Sequence, residues 1–200
     1  MNEEWLHRVV FAVLLLGAVI FTSFVGYEKR NNNARDVAHI GVMLALALVF
    51  GVLESFLPDF LLPGMRIGLA NVVTLFVLYV YGFKKALAIA LLKALLVSMM
   101  RGNFLSMGGY MALTGSLLSV LGMGLLRVLW KNCSVFGVSI FGALLHVLGQ
   151  IMIALIYLGT PILGYLPYLL LMAFGTGALV GGLVFLLQKN RALKRYLSAK

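Results

Sequence analysis

The chain has 200 residues, of which 62% are apolar and 11% charged, with a formal net charge of +10. Soluble domains run about 45–50% apolar and about 25% charged. That composition, with a mean hydropathy of +1.06, excludes a soluble globular domain and a disordered chain. Long uncharged runs approach the roughly 20 residues a bilayer-spanning helix needs, which predicts a polytopic membrane protein with one domain and no appended soluble enzyme. The single cysteine, Cys133, excludes an internal disulfide and a multi-cysteine metal site.

In chain order, seven apolar spans are predicted at 9–26, 37–57, 67–83, 86–100, 107–126, 134–158 and 165–187. The first follows His7-Arg8 and precedes Glu28-Lys29-Arg30. The acidic Glu3-Glu4 start and the cations behind the span argue for a retained anchor over a cleaved signal peptide. Residues 1–33 then form an anchor and cytoplasmic linker, 34–188 a six-helix membrane core, and 189–200 a basic cytoplasmic tail.

Placing Lys29, Arg30 and Arg35 in the cytoplasm sets the remaining connections. Lys84, Lys85, Arg127 and Lys131 fall inside, as does the tail with Lys189, Arg191, Lys194, Arg195 and Lys200. Twelve cations then lie inside against three outside (Arg8, Arg66 and Arg101), with Lys93 within a span. This positive-inside bias predicts an outer N-terminus and a cytoplasmic C-terminus. It also accounts for most of the net charge as topology signal and attraction to anionic lipid heads, so nucleic acid is not needed to explain the pI. Glycine and proline concentrate in the outer connections, at Pro58–Gly64, Arg101–Gly109 and Gly159–Gly164, whereas the inner turns are short and basic.

Ionisable groups at membrane depth are costly and point to function by default. Glu54 lies about one turn below an outer helix end, and Lys93 lies eight residues, about 12 Å, deeper than Arg101. His146 and Gln150 are one turn apart near mid-depth, and Asn71 stands inside the outer end of the third span. With Arg66 and Asn103 from the outer loops, these residues outline a polar cavity open to the outside, suited to an anionic ligand held by Lys93 and Arg101. Each also has a structural role open to it. Arg101 is equally placed as a juxtamembrane anchor, Glu54 as a partner of Arg66 or Lys93, and His146 and Gln150 as interhelical hydrogen-bonding groups. Lys93 can snorkel from its helix.

Small residues make a second pattern. Gly41 with Ala45, and Ala47 with Gly51, have small-xxx-small spacing, and Ala38 extends one stripe; such faces allow close helix approach. Gly175, Gly177, Gly181 and Gly182 suggest another close-packed face in the last span. Enzyme chemistry is poorly supported by the sequence. Among six acidic residues there is no DDxxD or DxxxD pair to hold magnesium and diphosphate, and there is no P-loop lysine motif. A serine–histidine pair of Ser116 and His146 would need a geometry that spacing does not supply.

Several segments carry a resemblance to a known family: Ala34-Arg35-Asp36-Val37-Ala38, Pro63-Gly64-Met65-Arg66-Ile67-Gly68-Leu69-Ala70-Asn71, Tyr81-Gly82, Lys93 to Gly102, and Gly108-Gly109. Over residues 34–188 the chain resembles the Gx transporter family, also labelled heptaprenyl diphosphate synthase component I, which is similar to the substrate-binding S components of energy-coupling factor (ECF) transporters. The resemblance implies an all-α membrane bundle, six core helices plus one N-terminal transmembrane helix, with its ligand beneath the loop 58–66. It implies no cofactor. Its implied partners are a transmembrane coupling subunit and cytoplasmic ATPases, docking partly on Ala38, Gly41 and Ala45. Vitamins such as flavins, or prenyl and quinone precursors, are the ligands it suggests. The alternative is an accessory subunit of isoprenoid or menaquinone synthesis or of a membrane redox system.

The topology has a direct test. With Cys133→Ala as background, single cysteines at Asn31 and Gly159 should differ towards an impermeant thiol reagent in intact cells. Only the Gly159 position should react; labelling at both, or the reverse, overturns the assignment.

Overall fold

The computed structural model describes residues 34–55, 68, 70–130 and 132–189. The first apolar run, the loop 58–66 with Arg66, and residues 190–200 lie outside the described residues. The helix packing is that of the compact unit of residues 40–200. Among the described residues every regular element is a helix: α1 (Ala34–Ser55), α2 (Asn71–Val80), α3 (Phe83–Met100), α4 (Met107–Leu129), α5 (Val135–Leu158), a 3-10 turn (Thr160–Tyr165) and α6 (Leu166–Lys189). The fold is an all-helical bundle of membrane type. Helices α4 and α5, and the 3-10 turn joined to α6, are long and apolar enough to cross a bilayer.

The run 67–83 behaves differently from the expected span. Its helix α2 has only 10 residues, about 15 Å at 1.5 Å per residue, half of a hydrocarbon core of about 30 Å. Backbone turns set both limits. Gly68 has φ +90° and accepts the Asn71 N–H at 2.9 Å, while at the other end the Tyr81 and Gly82 N–H groups both return to the Val77 carbonyl. Gly82, also at φ +90°, reverses the chain into α3, because only glycine takes that conformation without a Cβ clash. Arg127 of α4 closes the lower end of α2. Its guanidinium donates to the Leu78 carbonyl and lies 4.5 Å from the Tyr79 ring centroid. A cation at the last turn of a helix also meets the negative end of its dipole.

The closest helix approaches are α4 with α5 and α5 with α6. A Cβ on Gly149 would stand 2.9 Å from the Gly115 Cα, and one on Gly177 would stand 2.7 Å from the Ile140 Cα. Hydroxyls cross both contacts, Thr114 Oγ1 to the Gly149 carbonyl at 3.0 Å and Ser139 Oγ to the Gly177 carbonyl at 2.6 Å. Of the last-span glycines, Gly177 and Gly181 meet α5 backbone, whereas Gly175 meets nothing within 4 Å and Gly182 only the Phe136 ring. The two stripes of α1 separate likewise. Ala47 and Gly51 are buried, Gly51 against Val97, while Ala38, Gly41 and Ala45 are exposed. Among the described residues, α1 makes the fewest close approaches to the other helices.

Overpacking a tight crossing costs about 1–3 kcal/mol. Gly149→Leu should therefore lower the melting temperature in detergent clearly, and Gly175→Leu should leave it nearly unchanged. Equal melts for the two variants would contradict the close α4–α5 crossing.

Candidate functional site

Helix lengths bring the polar residues to one level. Lys93 is ten residues from the start of α3, Asn71 nine from the end of α2, and His146 eleven from the start of α5. Each distance is about 14–17 Å, about half the thickness of a hydrocarbon core. Glu54, in the last turn of α1, joins them. Glu54, Gly68, Asn71, Lys93, Ser116 and His146 line one gap inside the bundle.

The group is almost wholly removed from the surface. Glu54 is 6% exposed, Lys93 5%, His146 4% and Gln150 0%. The Lys93 ammonium donates to Asn71 Oδ1 at 2.8 Å, and the Gly68 backbone N–H donates to Glu54 Oε1. The second bond holds the turn before α2 against the end of α1. A Cβ at Gly68 would come within 3.0 Å of Asn71 Nδ2, so glycine is required there by conformation and by space. Gln150 Nε2 lies 3.2 Å from His146 Nε2. With the amide N–H donating, that ring nitrogen accepts and the imidazole proton sits on Nδ1. Gln150 Oε1 has no hydrogen-bond partner among the described residues.

One ammonium and one carboxylate thus share a gap at low dielectric, where each isolated charge would cost several kcal/mol. The arrangement offers a positive donor, a carboxylate, an amide, a hydroxyl and an imidazole, which suits recognition of a small polar head group. Among the described residues no three His, Cys, Asp or Glu side chains cluster. The room between the side chains is narrow, sufficient for about one water, so a vitamin-sized ligand requires the gap to widen.

Of the residues singled out from the sequence, Glu54, Asn71, Lys93 and His146 line the gap, and Gln150 attaches to it through His146. Arg101 caps α3 through its backbone N–H to the Val97 carbonyl and is half-buried, outside the gap lining. Asn103 lies in the connection beyond it, partly buried. Arg66 lies outside the described residues. Gly68 and Ser116 join the lining as residues that sequence reasoning did not place there. Gly68 belongs to the RIGLAN segment, whose family resemblance was its only signal, and a serine in an apolar run carries almost none.

The model of the family described as heptaprenyl diphosphate synthase component I matches residues 43–187, and the chain belongs to that family. No curated protein and no solved structure matches it.

Lys93 and Glu54 line one gap; leaving one buried charge there without its counterpart costs about 3–5 kcal/mol, whereas replacing both with apolar groups is often neutral. Lys93→Met and Glu54→Leu should each lower the melting temperature, and the double variant should recover most of the loss. Additive losses would show that the two charges do not support one another.

Proposed function

We propose that this family member is a substrate-capture subunit, similar to an ECF S component, for a small anionic vitamin or precursor such as a flavin or a prenyl- or quinone-related compound. The observation that carries this reading is the half-membrane pocket of Glu54, Asn71, Lys93 and His146. Buried charge in a bundle that must satisfy every polar group internally has a clear use as a ligand site. Lys93 is the main charge partner, Asn71 accepts from its ammonium, Glu54 accepts from the Gly68 backbone N–H, and His146 with Gln150 supplies hydrogen bonds. Arg66, Arg101 and Asn103 complete the outer side of the site in this reading.

Widening the gap falls naturally to α1. Among the described residues it makes the fewest close helix approaches, and it is tied to the turn before α2 by the Glu54–Gly68 bond. Its exposed Ala38, Gly41 and Ala45 give a transmembrane coupling subunit a face for close approach, with cytoplasmic ATPases as the further partners. In this reading the chain lies in the cell membrane with its N-terminus outside and its C-terminus in the cytoplasm, an orientation supported by the cationic bias of the connections.

The family description favours a second reading, an accessory subunit of isoprenoid or menaquinone synthesis or of a membrane redox system. Under either reading the chain is not itself an enzyme. Its six acidic residues include no paired aspartates, so it cannot bind diphosphate through magnesium in the manner of a prenyl transferase.

Mass spectrometry of the purified chain separates these readings. A stoichiometric small molecule, lost in Lys93→Met and still lost in Lys93→Met/Glu54→Leu, supports capture. A protein partner with no small molecule supports the accessory role, and turnover by the lone chain defeats both. Docking is tested separately. Gly41→Leu and Ala45→Leu should leave ligand binding intact while abolishing complex formation or transport, and unfolding of the isolated variants would show that the stripe packs internally instead.

A further inference from the structure

A second gap opens between α4, α5 and α6 and shares Gly68, Asn71 and His146 with the first. Its other polar walls are Ser119 of α4, Ser139 of α5 and Thr176 of α6. Along α5, Ser139, Ala143, His146 and Gln150 recur at helical spacing, so one small or polar stripe runs eleven residues, about 17 Å. Ser139 is four residues, about 6 Å, from the start of that helix. The stripe therefore leads from the pocket towards the end of the bundle that carries the Trp130–Ser134 connection.

Hydrogen bonding indicates what occupies this gap. Ser139 Oγ donates to the Gly177 carbonyl at 2.6 Å, and Thr176 Oγ1 donates to the Ala173 carbonyl at 3.2 Å. Ser119 is 2% exposed, yet its hydroxyl has no hydrogen-bond partner among the described residues while it lines the gap. A hydroxyl buried without a partner is costly, the more so where the surrounding medium is hydrocarbon. The room is sized for about one water, and the polar walls supply the two to four partners that a buried water needs. Asn71 gives its Oδ1 to Lys93, which leaves its amide N–H groups as donors in the same wall.

We propose that the α4–α5–α6 seam is a water site adjoining the ligand pocket, in which water bonded to Ser119 links Asn71 and His146 to the hydroxyls of Ser139 and Thr176. Water is the ligand class selected by size and by the uncharged donors and acceptors. The seam forms a hydrated branch from the charged pocket that does not pass through α1. It stands whether or not the chain captures a transport substrate.

Silver ion, close to water in size and reactive towards thiolates, is the probe. Ser119→Cys and Thr176→Cys are made in the full chain with Cys133→Ala and kept in permeabilised native membranes, so that the ion reaches both faces. Free thiols are then counted with a fluorescent maleimide after denaturation. Both cysteines should be silenced by silver at least about tenfold faster than Val77→Cys in the apolar core, where neither the ion nor the reactive thiolate is solvated. Size-exclusion profiles identify any variant that fails to fold, and the other position then decides. Protection of both positions equal to that of Val77→Cys would show a dry seam and overturn the proposal.

Discussion

Placing an ammonium at mid-membrane depth constrains everything around it. Lys93 sits on a helix whose other faces meet apolar neighbours, and its charge cannot stay unsolvated there. One partner is Asn71 Oδ1, 2.8 Å away, and Asn71 stands at that level because α2 begins there. A full-length second span would place apolar helix where Gly68, Asn71 and the carboxylate of Glu54 now meet. The short helix, the glycine turn before it and the buried charges are therefore one arrangement.

Two kinds of contact hold this arrangement in place. Around the pocket they are polar, with Glu54 tied to the Gly68 backbone and α2 closed from below by Arg127. Between α4, α5 and α6 they are dense, with glycines that admit neighbouring backbone and hydroxyls that bond across to glycine carbonyls. In a membrane, where no hydrophobic force draws helices together, close packing and interhelical hydrogen bonds must do so. The result, among the described residues, is a close-packed three-helix wall on one side of the pocket and the more sparsely contacted α1 on the other.

The cationic residues show why charge has to be read together with position. Arg127 contributes to the positive-inside bias, but in the fold its guanidinium also closes α2 and lies over Tyr79. Lys93 and Arg101, eight residues apart on one helix, divide into a buried hydrogen-bonding group and a half-buried helix end. Only the former belongs to the gap lining.

Hydropathy alone determined that this is a helical membrane chain. It also placed α4, α5 and α6 within a few residues of their ends, because burying backbone in lipid leaves an apolar run of that length few options but a helix. The exceptional cost of an ionisable group in such runs pointed to Glu54, Lys93 and His146 from their identities alone. The sequence did not determine that the run 67–83 holds a half-length helix, since hydropathy registers apolar side chains and not the positive φ of Gly68. Nor did it determine which glycines meet backbone: Gly177 and Gly181 do, while Gly175 of the same helix faces open space, a difference of rotation set by the neighbouring helix. Ser119 and Ser139 look unremarkable one at a time. They acquire a role only when three helices turn them into the same gap, a relation between distant residues that only the tertiary structure decided.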